Sequence, residues 1–156
     1  MSKTKRVKKY VKQLLYGDAP RKKFEIRSEE ELECTKKLII DLIYALLCFG
    51  MPVYLIDYHA SLISVSYGIG LMLDFTGNGF LITFTSGFFR LGHDTRFIKL
   101  KSSAWDLTKL TLLDDIAANI ASGAVNVKEG QQMIKDVMVR KPIYAHVGFS
   151  LFVYFL

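Results

Sequence analysis

Residues 28–50 read Ser-Glu-Glu-Glu-Leu-Glu-Cys-Thr-Lys-Lys-Leu-Ile-Ile-Asp-Leu-Ile-Tyr-Ala-Leu-Leu-Cys-Phe-Gly, and this segment restricts the fold more than any other. Ser28 and Glu31 have the spacing of a capping box, in which the hydroxyl takes the third amide and the carboxylate reaches back. Glu29, Glu30 and Glu33 suit the positive end of the same helix. From Leu38 to Phe49 the residues are apolar nearly all round, broken chiefly by Asp41. A helix with no polar side has no place on a surface, so it must be central and buried. Gly50 ends it by supplying a left-handed cap.

The remaining elements follow from changes of period. Pro52 suits the first turn of a second helix. Val53, Ile56, Ala60 and Ile63 form its seam, giving a helical hairpin over Gly50-Met51. Beyond Gly68-Ile-Gly70, residues 71–75 and 80–86 read as strands around Thr76-Gly-Asn-Gly79, a hairpin signal. Residues 88–94 read as a loop. In residues 95–101, Ile98 and Leu100 alternate with Lys99 and Lys101, as in a strand with one wet face. A helix over about 106–121 carries Leu110, Leu113, Ala117 and Ile120 on one face and ends at Gly123. Asn126-Val-Lys-Glu129 is a second capping box and opens a helix to about Val139. The expected order is ααβββαα. This is an α+β fold: a helical hairpin, a three-stranded antiparallel meander and two further helices, spanning residues 24–141.

Two unlike segments flank that domain. Residues 1–23 carry nine Lys or Arg against one acid, Asp18, while the remaining residues hold twelve basic and fourteen acidic side chains, so the basic character behind the net charge of +6 belongs to this tail. A disordered basic tail is expected, with attraction to anionic lipid headgroups as its physical potential. Nucleic acid is not an expected partner, because no zinc-ligand set or RNP-like aromatic motif accompanies the charge. No apolar stretch follows these charges, which excludes a secretory signal. At the other end, Pro142 leads into Ile-Tyr-Ala-His-Val-Gly-Phe-Ser-Leu-Phe-Val-Tyr-Phe-Leu, whose one titratable base is His146. As a helix these fourteen residues rise about 21 Å, where a bilayer core takes about 20 residues. Leaving the large side chains of residues 149–156 in water would cost on the order of 10 kcal/mol. They are expected to be buried. Arg140 and Lys141 stand where the cytoplasmic charges flanking a membrane helix stand. Residues 142–156 therefore read as the start of a first transmembrane helix, truncated in length. A core helix or strand is the other reading such a run allows.

No constellation specifies catalysis, and no catalytic residue is nominated. His59, His93 and His146 fall in three different elements, without H-x-x-x-H or C-x-x-C spacing, so no metal and no cofactor are expected. Cys34 and Cys48, on one helix, lie about 21 Å apart along its axis, which excludes a disulfide between them. Reduced structural thiols are expected. A small hydrolase could draw only on His93-Asp94 beside Ser86 or Ser102, and no G-x-S-x-G elbow exposes a nucleophile. The pairs Gly68-Ile-Gly70 and Gly77-Asn-Gly79 lack the rest of a phosphate-binding fingerprint, and turn geometry explains the second. Asp41 and Asp57 sit in apolar helical stretches, where an unpaired carboxylate is costly, so each is expected to face outward or to pair.

These residues also carry a resemblance. Ala45-Leu-Leu-Cys-Phe-Gly-Met-Pro-Val-Tyr-Leu-Ile-Asp57 resembles the entry motif of the threonine/serine exporter family: an aliphatic helix, Gly-Ala-Pro or similar, then an Arg and a Glu one turn on. Gly50 and Pro52 match, and Asp57 stands at the position of the family acid. Leu55 occupies the usual Arg position, so any ion pair of that Arg is missing here. Phe80-Leu-Ile-Thr-Phe84 is similar to the family's Met-Leu-Ile-Ser-Phe strand. The resemblance continues through the strand at 96–101 and Leu107-Thr-Lys-Leu110. Asn126-Val-Lys-Glu129 followed by Lys141-Pro-Ile-Tyr144 resembles the end of the soluble part, just before the first membrane helix. It covers residues 24–156 and fits the fungal branch best, including its pheromone-regulated membrane proteins.

The resemblance implies a polytopic protein of the plasma membrane or another cellular membrane, with a cytoplasmic N-terminal α+β domain. Its membrane helices would export small hydroxy amino acids, or related small acids, by secondary transport; with no catalytic set in the sequence, an enzyme is not expected. A transport path needs several helices around a midplane site, so this chain alone is expected to be transport-incompetent, and no substrate-binding residue is nominated. The implied partners are membrane lipid and the remaining transmembrane helices of a full-length or split protein. The alternative is a soluble interaction or regulatory module whose apolar end packs into its own core or a partner.

Overall fold

A computed structural model describes residues 24–85 and 93–141. The expected basic tail at 1–23, most of the loop at 88–94 and the apolar segment at 142–156 lie outside the described residues. Within them the chain forms four helices and one three-stranded sheet in the expected order: α1 (Glu29–Cys48), α2 (Val53–Tyr67), β1 (Gly70–Thr76), β2 (Gly79–Thr85), β3 (Asp94–Lys99), α3 (Leu107–Ser122) and α4 (Val127–Val139). No helix among the described residues is long and apolar enough to cross a membrane. The truncated transmembrane helix is therefore no part of the fold described here.

The first helix is central, as its composition requires. Leu32, Leu38, Ile39, Leu42, Ile43, Ala45 and Leu46 are buried, and α1 touches α2, α3 and α4. Its N-cap differs from the expected box by one residue. Ser28 Oγ accepts from the Glu31 amide at 3.1 Å, but the Glu31 carboxylate accepts from the Arg27 amide at 2.8 Å rather than from that of Ser28. At the other end Gly50 has φ +86°. Its N–H donates to the Leu47 carbonyl at 3.2 Å and that of Met51 to the Leu46 carbonyl at 3.0 Å, which closes a Schellman motif. Pro52 then stands as the N-cap of α2, one position before the first turn, and its carbonyl accepts from Leu55 and Ile56. Ile56, Ala60 and Ile63 are buried. Val53 is not: at the exposed corner of the hairpin it lies above the seam it was expected to open.

The sheet is an antiparallel meander in the order β1-β2-β3. Phe80, Ile82 and Phe84 of β2 face the helices and are buried. They pair with Phe75, Leu73 and Leu71 on one side and with Ile98, Arg96 and Asp94 on the other. Neither Gly77 nor Asn78 in the hairpin turn has positive φ. Gly79 is needed for a different reason: a Cβ there would strike the Ile98 carbonyl, so its absence lets β3 approach β2. The third strand starts one residue earlier than expected and ends at Lys99. Its alternation places Asp94 and Arg96 on the core-side face and Phe97 outside.

Caps set the last two helices. Asp106 Oδ1 accepts from the Lys109 amide at 3.0 Å at the start of α3. The Asn126–Glu129 capping box is complete, with bonds of 2.9 and 3.3 Å. Gly130 allows α4 to close on its neighbours, since a Cβ there would lie 2.9 Å from Ile120 Cδ1 and 3.2 Å from Leu38 Cδ1. Cys34 and Cys48 are both free thiols on α1.

Candidate functional site

One end of the molecule gathers the C-terminus of α1, the N-termini of α2 and α3 and the C-terminus of α4. The linker before α3 is fastened there: the Ala104 amide donates to the Cys48 carbonyl at 2.8 Å, and Cys48 Sγ donates to the Ser102 carbonyl at 3.2 Å. Burial pushes the Cys48 thiol pKa up, so this cysteine is a structural thiol and a poor nucleophile. The Trp105 ring lies against Gly50, where a Cβ would come within 3.1 Å of it. Lys109 is buried; its Nζ donates to the Met138 carbonyl at 3.3 Å and sits 4.7 Å from the centre of the Phe49 ring. A cation at the last carbonyls of α4, over an aromatic face, is favourably placed twice. Arg140 and Lys141 leave α4 beside Asp106, Thr108 and Leu112, around a shallow depression of about 170 Å³.

Of the residues singled out in the sequence, Gly50, Arg140 and Lys141 thus come to the same end. Pro52 lies beside Gly50 in the turn, and Asp57 is exposed one turn along α2. Asp41 is half-buried on α1; burial raises its pKa, opposed by Lys37 and Lys135.

A second cluster joins the start of α1 to the edge of the sheet. Lys36, with a side chain only 6% exposed, donates to Glu33 at 2.7 Å and to Asp94 at 2.9 Å. Arg96 Nη2 lies 2.8 Å from Glu33 and 2.6 Å from Asp94, and its Nε lies 3.0 Å from Asp94. Two cations and two carboxylates close into a neutral ring. Arg96, then Lys36, hold the Asp94 carboxyl at a pKa of about 2, and the same two cations lower that of Glu33. Burial works against the charged form of Lys36, but its bonds to Glu33 and Asp94 outweigh that and raise its pKa. Of the residues a hydrolase reading would draw on, Asp94 is engaged by two cations, His93 and Ser102 are exposed, and Ser86 lies outside the described residues.

Sequence reasoning missed this ring, because Arg96 and Glu33 are 63 residues apart. The signal available was Lys36, a cation three residues beyond Glu33 at the entry of an apolar helix. It also missed Trp105 and Lys109, and the pairing of His59 Nε2 with Asp114 Oδ1 at 3.0 Å, which leaves His59 Nδ1 buried with no hydrogen-bond partner among the described residues. An open cleft of about 560 Å³ lies between the starts of α1 and α4, lined by Phe24, Glu31, Cys34, Tyr67 and Asn126 among others. No group of three or more metal-ligating side chains occurs among the described residues.

A family model described as "Putative threonine/serine exporter" covers residues 37–156. Searches of curated proteins and of solved structures return no match. The matched stretch begins inside α1, takes in every later element of the fold and continues through the apolar segment after Lys141. Matched over well above half its length, the chain belongs to the threonine/serine exporter family.

Proposed function

We propose that residues 24–141 form the N-terminal domain of an exporter-type membrane protein for threonine, serine or related small hydroxy amino acids. In this reading the domain lies on the cytoplasmic side and residues 142–156 begin the first membrane helix. One observation supports it: a single family match extends from the central helix of the folded domain through the apolar segment. Arg140 and Lys141, exposed between α4 and that segment, supply the flanking positive charge of a cytoplasmic boundary. The basic residues 1–23 add attraction to anionic lipid on the same side. Gly50, Pro52 and Asp57 are the family-motif positions, with Leu55 in place of the usual Arg.

The described domain contributes no helix to a transport path, which needs several helices lining a midplane site. Export in this reading belongs to other membrane helices, and lipid and those helices are the partners. The finer assignment, to the fungal branch with its pheromone-regulated membrane proteins, rests on the motif order at 45–57, 80–84 and 141–144; the family match itself stops at the family.

Membrane fractionation of cells expressing the chain, followed by alkaline carbonate extraction, tests the reading. Retention in the pellet is expected. Recovery as a monodisperse, detergent-free monomer would contradict it and favour a soluble interaction module.

A further inference from the structure

We propose that the end of the domain bearing Tyr54, Trp105, Leu107 and Val139 seats on the headgroup region of the lipid bilayer, so that the domain lies against the membrane. This rests on the reading of residues 142–156 as a membrane-entering segment. These four side chains are 71%, 84%, 73% and 80% exposed, and among the described large apolar residues only Met72 is as open. Their elements meet at one end of the domain through the contacts already given. Trp105 lies on Gly50 in the turn before Tyr54, Leu107 opens α3, and Lys109 in that same turn of α3 binds the end of α4 beside Val139.

The occupant is set by the tether. Only Pro142 separates Lys141 from the apolar run, and one residue reaches about 3.5 Å. The headgroup layer on each side of a bilayer is roughly 5–8 Å deep. If Ile143 enters lipid, the Arg140–Lys141 end of α4 is therefore held at headgroup level, together with whatever is fastened beside it. What is fastened there is chemically suited to that depth. Trp and Tyr place an apolar ring in the interface with a polar atom toward water. Arg140 and Lys141 reach phosphates while their stems cover apolar surface. The hydrogen bond from Ala104 to Cys48 and that from Lys109 to Met138 hold the patch in shape before any contact is made. The outer face of the sheet, with Met72 and Phe97 among Thr83, Thr95 and Asp74, has no such tether beside it.

Trp105 is the only tryptophan in the chain, so its fluorescence reports on this patch alone. The test uses the full chain, diluted from detergent onto phosphatidylcholine vesicles with and without phosphatidylserine, and reads co-sedimentation and Trp105 emission together. The expected result is co-sedimentation, a shift of emission to shorter wavelength and quenching by lipid brominated near the headgroup, strongest with phosphatidylserine present. The doubly substituted chain with Tyr54→Ser and Leu107→Ser changes only exposed side chains; it still co-sediments, and its ratio of docked to undocked domain falls about tenfold. Co-sedimentation with unchanged, unquenched emission overturns the docking proposal and leaves the membrane reading standing. Failure to co-sediment overturns that reading and the proposal with it. Emission already at short wavelength without vesicles, and insensitive to brominated lipid, shows residues 143–156 folded back over the patch and also overturns it.

Discussion

Asp94 takes hydrogen bonds from two cations, and its behaviour with pH follows from them. Arg96 and Lys36 hold its pKa at about 2 in the folded protein, against about 3.9 in an unfolded chain. A depressed folded value means that the stabilisation is fully present above about pH 4 and is lost as the pH falls through about 2. Glu33 and Arg96 are partly open to solvent, with side chains 47% and 35% exposed, which screens the ring. Asp94→Asn is therefore expected to destabilise by only about 1 kcal/mol at neutral pH. Urea unfolding of both forms at neutral pH and near pH 2 checks this; the deficit should shrink at the acid end, where the natural carboxylate is itself protonated. Lys109 offers a separate test. Lys109→Met keeps a stem over Phe49 but removes the donor to the Met138 carbonyl, at an expected cost of about 1 kcal/mol. Thermal unfolding measures it, and a stabilised Lys109→Met would show that the ammonium is no asset there.

Among the elements, the meander depends on the missing side chain of Gly79. An added methyl meets the Ile98 carbonyl and comes within 3.1 Å of Lys99 Cα, both main-chain atoms that cannot turn aside. Gly79→Ala should cost about 2–3 kcal/mol and loosen β3 first; amide exchange at β3 faster than in α1 would show it. The ends of the helices could be read in advance because capping is local: Ser28, Asn126, Gly50 and Gly123 carry their own signals within a few residues. Even so, the Glu31 carboxylate settled on the Arg27 amide, a choice between adjacent donors that spacing does not resolve. The edge strand was harder. Alternation of Ile98 with Lys99 identified a strand, but only the distant α1 makes Arg96 and Asp94 tolerable on its core-side face. Gly79 was read as a turn residue, whereas its constraint comes from a strand nearly twenty residues later. Trp105 and Lys109 were illegible for the same reason, since what each touches belongs to elements far away in sequence.

For the molecule as a whole, the described helices and sheet share one buried cluster. The central helix is covered by three others, and Phe80, Ile82 and Phe84 lie in the same buried cluster as Leu42, Ile56 and Ile120. In the proposed reading this packing is independent of residues 142–156, whose apolar side chains are then left for lipid; one family match covers both parts. Independence of fold and apolar segment is the central claim. Its most direct test compares the full chain with one ending at Lys141 by circular dichroism melting and light scattering in the absence of detergent. The account predicts the same helical signal and melting temperature for both, with association confined to the full chain. A shortened chain that unfolds, or melts many degrees lower, would show that the segment belongs to the core and would contradict the account.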